Sequence, residues 1–109
     1  MTTQDHIRTR IEDRLEALGL TRRGASLAAG LSTHFLQRFM THENTSMTVE
    51  NLLKLSNVLQ VTPEWLLTGR DVSDPPLGTE ELFSIYQAMT PANRETLLNF
   101  ARWTLDNQG

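Results

Sequence analysis

Four times within about fifty residues this chain repeats one local arrangement: an apolar residue, then Thr or Ser, then a second apolar residue four positions beyond the hydroxyl. The pairs are Leu20/Ala25 around Thr21, Leu31/Leu36 around Ser32, Met47/Leu52 around Thr48 and Val61/Leu66 around Thr62. A hydroxyl in that position accepts a backbone N–H from the first helical turn. The flanking apolar pair then packs together as a staple that fixes the entry angle of the chain. Four such starts predict a succession of short helices.

The rest of the chain agrees. Ile7, Ile11, Leu15 and Leu18 recur at helical spacing and give a first helix one apolar stripe, ending at Gly19. The second and third helices are expected at about 21–29 and 33–41, the third with Ser32 as its N-cap. Thr62-Pro63-Glu64 opens a fifth helix with a cap, a proline at the first position and an acid near the positive end of the dipole. Gly69 ends it, and GRDVSDPPLG reads as a linker. Beyond the linker Thr79 and Thr90-Pro91 open two more helices. Alternating strand patterns and Asn-Gly or Asp-Gly hairpin turns are missing. The expected fold is all-α: five helices in 1–69, a linker at 70–78 and a two-helix tail at 79–109.

Composition narrows the function. Of the 109 residues 39% are hydrophobic, 21% are charged and none is Cys, which suits a globular protein and excludes disulfides and thiolate chemistry. The polar start of the chain carries no apolar leader and no run approaches a membrane span, so a cytoplasmic location is expected. His6, His34 and His42 stand at no familiar metal-ligand spacing, and neither a phosphate loop nor a nucleophile motif occurs. No cofactor, no metal and no catalysis are expected. The net charge of −3 is unevenly spread: residues 1–70 hold eight Arg/Lys against seven acids, and residues 71–109 hold two against six.

Two short helices joined by a tight turn form a helix-turn-helix when small residues let them cross closely and the second helix has an apolar inner and a polar outer face. Ala25, Ser26, Ala28 and Ala29 are small, Gly30 suits a turn of positive φ, Leu36 and Phe39 point inward, and Thr33, His34, Gln37 and Arg38 form the outer face. A small-residue helix ending in Gly also occurs in ordinary bundles, and spacing alone leaves both readings open.

Residues 7–69 resemble the phage-repressor-like DNA-binding domain of the Cro/C1 or XRE family. The resemblance rests on LGLTRRGASLAAGLSTHFLQRF and on TVENLLKLSNVLQVTPEWLLTG, the second being the more specific. It implies a five-helix domain that binds double-stranded DNA, usually as a dimer at a palindromic operator. It implies base contacts from Thr33, His34, Gln37 and Arg38, with Ser32 as a further DNA-binding residue. It also places Arg22 on phosphate at the start of the second helix, and Arg23, a further DNA-binding candidate, is expected on phosphate or in solvent. Arg38 suits guanine O6 and N7, and Gln37 suits adenine N6 and N7. The sequence departs from the family at Met40, His42 and Met47, so the loop THENTSM is expected to take its own path, with Asn44 as a further DNA contact.

The last helix carries apolar residues over roughly 220° of its circumference, against the ~100° of an ordinary surface helix. A second copy would cover the excess, and Leu82, Phe83, Tyr86, Leu97, Leu98, Phe100, Ala101 and Trp103 are the expected dimerisation residues. The other arrangement has the tail folding back on its own domain. The sequence thus predicts a dimeric DNA-binding regulator, nucleoid-associated when bound, with the acidic tail open to a protein antagonist. The rival class is an interaction module of the same fold, an antitoxin or adaptor, acting through that tail.

Overall fold

The computed structural model describes residues 6–42, 45–70 and 79–107, with the backbone alone at Thr79, Glu81 and Leu82. Its elements are α1 (His6–Leu18), α2 (Arg22–Ala28), α3 (Phe35–Thr41), α4 (Val49–Leu59), α5 (Pro63–Thr68), α6 (Thr79–Ala88) and α7 (Pro91–Asp106). The described chain is all-α. None of its helices is long and apolar enough to cross a membrane. Asn44 and the linker from residue 71 to 78 lie outside the described residues.

Thr21, Thr48 and Thr62 cap their helices as the staples predict, each hydroxyl accepting from an amide three residues on. Thr90 caps α7 in the same way through the amide of Asn93. Ser32 does not. α3 begins at Phe35, and its N-cap position is held by His34, whose side chain makes no capping bond. The next amide of α3 is served from α2: Ser26 Oγ accepts the Leu36 N–H at 3.1 Å. Ser32 instead accepts Phe35 N–H through its carbonyl and Arg38 Nη2 through its hydroxyl. Gly30, at φ +75°, makes the expected turn between α2 and α3.

One buried cluster joins Ile7, Ile11 and Leu15 of α1, Leu36 and Phe39 of α3, Leu52, Leu55 and Leu59 of α4, and Leu66 and Leu67 of α5. Met89 and Phe100 of the tail belong to the same cluster, and α7 packs against α4. A buried hydrogen bond fastens this contact: Met47 N–H donates to Thr96 Oγ1 at 2.9 Å, and that hydroxyl donates to Ala92 O at 3.2 Å.

The arginines of α1 hold the other helices by their C-termini. At 3.6 residues per turn, Arg8 borders the Ile7–Ile11–Leu15 stripe on one side and Arg10 and Arg14 border it on the other. Arg8 Nε and Nη2 donate to Phe39 O and His42 O at the end of α3, at 2.9 and 2.8 Å. Arg10 donates to Leu66 O and Leu67 O of α5, and Arg14 donates to Leu59 O of α4. Arg94 does the same for α6, reaching Tyr86 O and Gln87 O. Each cation meets the negative end of a helix dipole and carbonyls that lack an intrahelical partner. Burial lowers the pKa of Arg10 below its ordinary value, yet a guanidinium so placed stays charged at neutral pH.

Arg8 is 8% exposed, and its guanidinium lies over the Phe39 ring at 5.2 Å. Arg8→Met keeps an apolar stem there but strands the buried Phe39 carbonyl. It should lower stability by about 2–3 kcal/mol, against less than about 0.5 for Arg23→Met on the exposed surface. Urea denaturation midpoints of the two variants check this.

Candidate nucleic-acid interface

α2 and α3 meet through small buried groups. Ala25 and Ser26 have no exposed surface and Ala29 is nearly buried, while Ala28, expected to help the crossing, faces solvent. Ser26 is the join itself, since its hydroxyl donates to Arg22 O within α2 and accepts Leu36 N–H from α3. That bond seats the first turn of α3 against α2 and fixes which side of α3 faces outward. Leu36 and Phe39 enter the core, and Phe35 packs half-buried against it.

The outward side carries Ser32, His34, Gln37 and Arg38 exposed, with Thr33 half-buried beside them. Thr33 and His34 stand in the turn before α3 rather than on its first turn. Two polar links order this face. Arg38 Nη2 donates to Ser32 Oγ at 3.2 Å. Arg22 reaches both ways, Nη1 to Gln37 Oε1 at 3.0 Å and Nε to Glu12 Oε1 of α1 at 2.9 Å. Arg23 is exposed at the start of α2. The structure therefore brings Arg22 and Gln37 together, and Arg38 and Ser32 together, along one side of the α2–α3 pair.

Glu12 had no place in the sequence reading. It lies ten residues before Arg22 on the polar side of α1, where nothing local distinguishes it from Asp13 or Glu16. Its carboxylate puts a negative charge against the cation expected to meet phosphate. The Glu12 and Arg22 side chains are 46% and 35% exposed, which leaves the pair open to solvent and to exchange with another anion. Among the described residues no cluster of three His, Cys, Asp or Glu side chains is placed to hold a metal ion.

The tail residues divide. Phe100 is buried in the chain's own core and Leu97 packs half-buried against it. Tyr86 is half-buried, with the Arg94 guanidinium 5.1 Å above its ring. Phe83, Leu98, Ala101 and Trp103 face solvent, and so does Leu105, at 69% exposure. The Leu82 side chain is outside the described residues. The wide arc of α7 is thus shared: Ala92, Asn93, Thr96 and Phe100 turn inward, and Leu98, Ala101 and Leu105 lie on the opposite side.

No family model matches this chain, and no curated protein or solved structure matches it.

Replacing Ser26 with Ala leaves the buried Leu36 amide without an acceptor. Stability should fall by about 1–3 kcal/mol. Hydrogen exchange followed by NMR should show the Leu36 amide losing protection well before the amides of α4, whose bonds the substitution does not touch.

Proposed function

We propose that this chain is a sequence-specific regulator of transcription that binds double-stranded DNA as a dimer. In this reading residues 1–69 form a five-helix domain of the phage-repressor-like type, and 79–109 supply the dimerisation surface. The observation that carries it is the α2–α3 pair. α3 is seated by Ser26 with Gln37 and Arg38 turned outward, and Arg22 and Arg23 stand beside them at the start of α2. α3 enters the major groove with Gln37 and Arg38 toward base edges. Thr33, His34 and Ser32 approach at its leading end, and Arg22 and Arg23 lie along the phosphates. The bound protein sits on the nucleoid and acts as a repressor by occupying its operator.

The net charge of −3 does not oppose this. Association with DNA responds to the field at the contacting face, and six of the thirteen acids fall in residues 71–109, outside the proposed DNA-binding domain. The exposed Leu98 and Leu105, on one side of α7, support self-association, because an apolar helix face is covered by an identical helix across a two-fold axis.

Selection from a random duplex library tests the function. The full chain should enrich a palindromic sequence, with log affinity falling linearly as log salt rises. Arg38→Ala should lose about 1–3 kcal/mol on the enriched site and little on random DNA. A chain that self-associates but enriches nothing favours the interaction-module reading instead.

Light scattering tests the assembly. The full chain should run at twice the chain mass at tens of micromolar, and the double variant Leu98→Glu, Leu105→Glu should run as a folded monomer with weakened operator binding. A wild-type monomer at that concentration removes the dimer from the proposal.

A further inference from the structure

The hydrogen bond between Arg22 and Gln37 settles the orientation of the Gln37 side chain. A glutamine amide has an accepting end and a donating end, and the two are readily interchanged. A guanidinium only donates. The atom of Gln37 that meets Arg22 Nη1 at 3.0 Å is therefore Oε1. Arg22 is in turn held from behind, its Nε donating to Glu12 Oε1 at 2.9 Å. The result is a chain of three side chains from α1, α2 and α3, carboxylate to guanidinium to amide, with donors and acceptors alternating along it.

The consequence lies at the free end. Nε2 of Gln37 makes no hydrogen bond among the described residues, and the side chain is exposed on the outward side of α3. A carbonyl oxygen has a second lone pair, but the bond to Arg22 turns this one toward the start of α2. The end of the amide directed away from Arg22 is the NH2. A free glutamine reads adenine by donating to N7 while accepting from the N6 amino group. With its oxygen turned aside, Gln37 offers donors alone. Guanine presents two neighbouring acceptors to the major groove, N7 and O6. Adenine and cytosine each present an amino donor, and thymine offers one acceptor beside a methyl group. The positive charge of Arg22 next to the amide also favours the acceptor-rich edge.

We infer that Glu12 and Arg22 are positioning residues that set Gln37 to read guanine, in place of the adenine an unconstrained glutamine would read. The inference rests on the DNA-binding reading above. It adds to it a base preference at one position of each half-site and a role for Glu12 on the helix before the helix-turn-helix.

The test is site selection from a random duplex library with the full chain and its Gln37→Ala, Arg22→Met and Glu12→Ala variants. Glu12 and Gln37 are exposed and Arg22 is half-buried, and circular dichroism of each variant verifies the fold. Gln37→Ala should make one base pair per half-site degenerate, and the wild type should hold guanine there by about tenfold over adenine. Arg22→Met frees Oε1. Overall affinity should fall with the loss of a phosphate contact, while the preference at that one position moves from guanine to adenine and the rest of the site is kept. Glu12→Ala, which only loosens Arg22, should narrow the guanine preference without reversing it. A merely structural or general electrostatic role for Arg22 would weaken all sites and leave the base unchanged. Any base other than guanine at the Gln37-dependent position of the wild type overturns the inference and leaves DNA binding intact, as does guanine retained by Arg22→Met. A wild type that enriches no sequence overturns the DNA-binding reading and this inference together.

Discussion

Each helix leaves its last four carbonyls without an intrahelical partner, and among the seven helices of the described residues the ends of α3, α4 and α5 lie against the rest of the fold. A left-handed C-terminal glycine supplies one backbone N–H to such an end, as Gly69 does for Trp65 O of α5, and leaves the other carbonyls to side chains or water. Here α1 supplies the missing donors. Arg8, Arg10 and Arg14 flank its apolar stripe and donate to the ends of α3, α5 and α4. One helix thereby buries hydrophobic surface and holds three others by directed, charge-assisted bonds. The apolar contacts gather the helices, while the guanidinium forks determine where each helix end lies along α1. Since α3 is among them, the outward face of the proposed reading helix is positioned from the opposite side of the core.

This use of arginine changes what the charge pattern means. Arg8, Arg10 and Arg14 are counted among the cations of residues 1–70, yet their guanidinium groups are spent on carbonyls inside the fold. The cations turned toward the proposed DNA side are Arg22, Arg23 and Arg38, and two of them are already tied to polar neighbours, Arg22 to Glu12 and Gln37 and Arg38 to Ser32. A face of few, tethered cations suits discrimination better than indiscriminate attraction. Tethered side chains lose less conformational freedom on binding, and a nearby carboxylate opposes contact with phosphate wherever the base contacts fail to compensate.

The sequence made the helices legible because their signals are local. Thr21, Thr48, Thr62 and Thr90 act within one turn of themselves, and the Ile7–Ile11–Leu15 stripe needs only the helical period. What the sequence hid depends on contacts between distant residues. Ser32 looked like a cap, but it takes the Phe35 amide through its carbonyl, and Ser26, six residues earlier and on another helix, accepts the Leu36 amide. Glu12 and Thr96 carry no distinguishing neighbours, and only the folded chain shows one paired with Arg22 and the other with the Met47 amide. Phe100 was legible as apolar and in excess, but periodicity alone did not tell whether its own core or a second copy covers it. Of the candidate interface, the outward residues of α3 could be read in advance, while the bonds that orient them could not.

Thr96 also bears on how the proposed dimer would meet DNA. Its hydroxyl accepts the Met47 amide just before α4 and donates to Ala92 O of α7, so α7 is fixed to the segment that follows α3. Met89 and Phe100 extend that attachment into the core shared with Leu36 and Phe39 of α3. The apolar side of α7 that remains outside, Leu98, Ala101 and Leu105, is then carried on the same packed unit as the proposed reading helix. In a two-fold dimer built on that side, the separation and tilt of the two α3 helices follow from packing within each chain, and the length of the segment at 71–78 has little influence. Such a dimer accepts one half-site spacing, because moving the two α3 helices apart means breaking the α4–α7 contact and burying the Met47 amide without its partner.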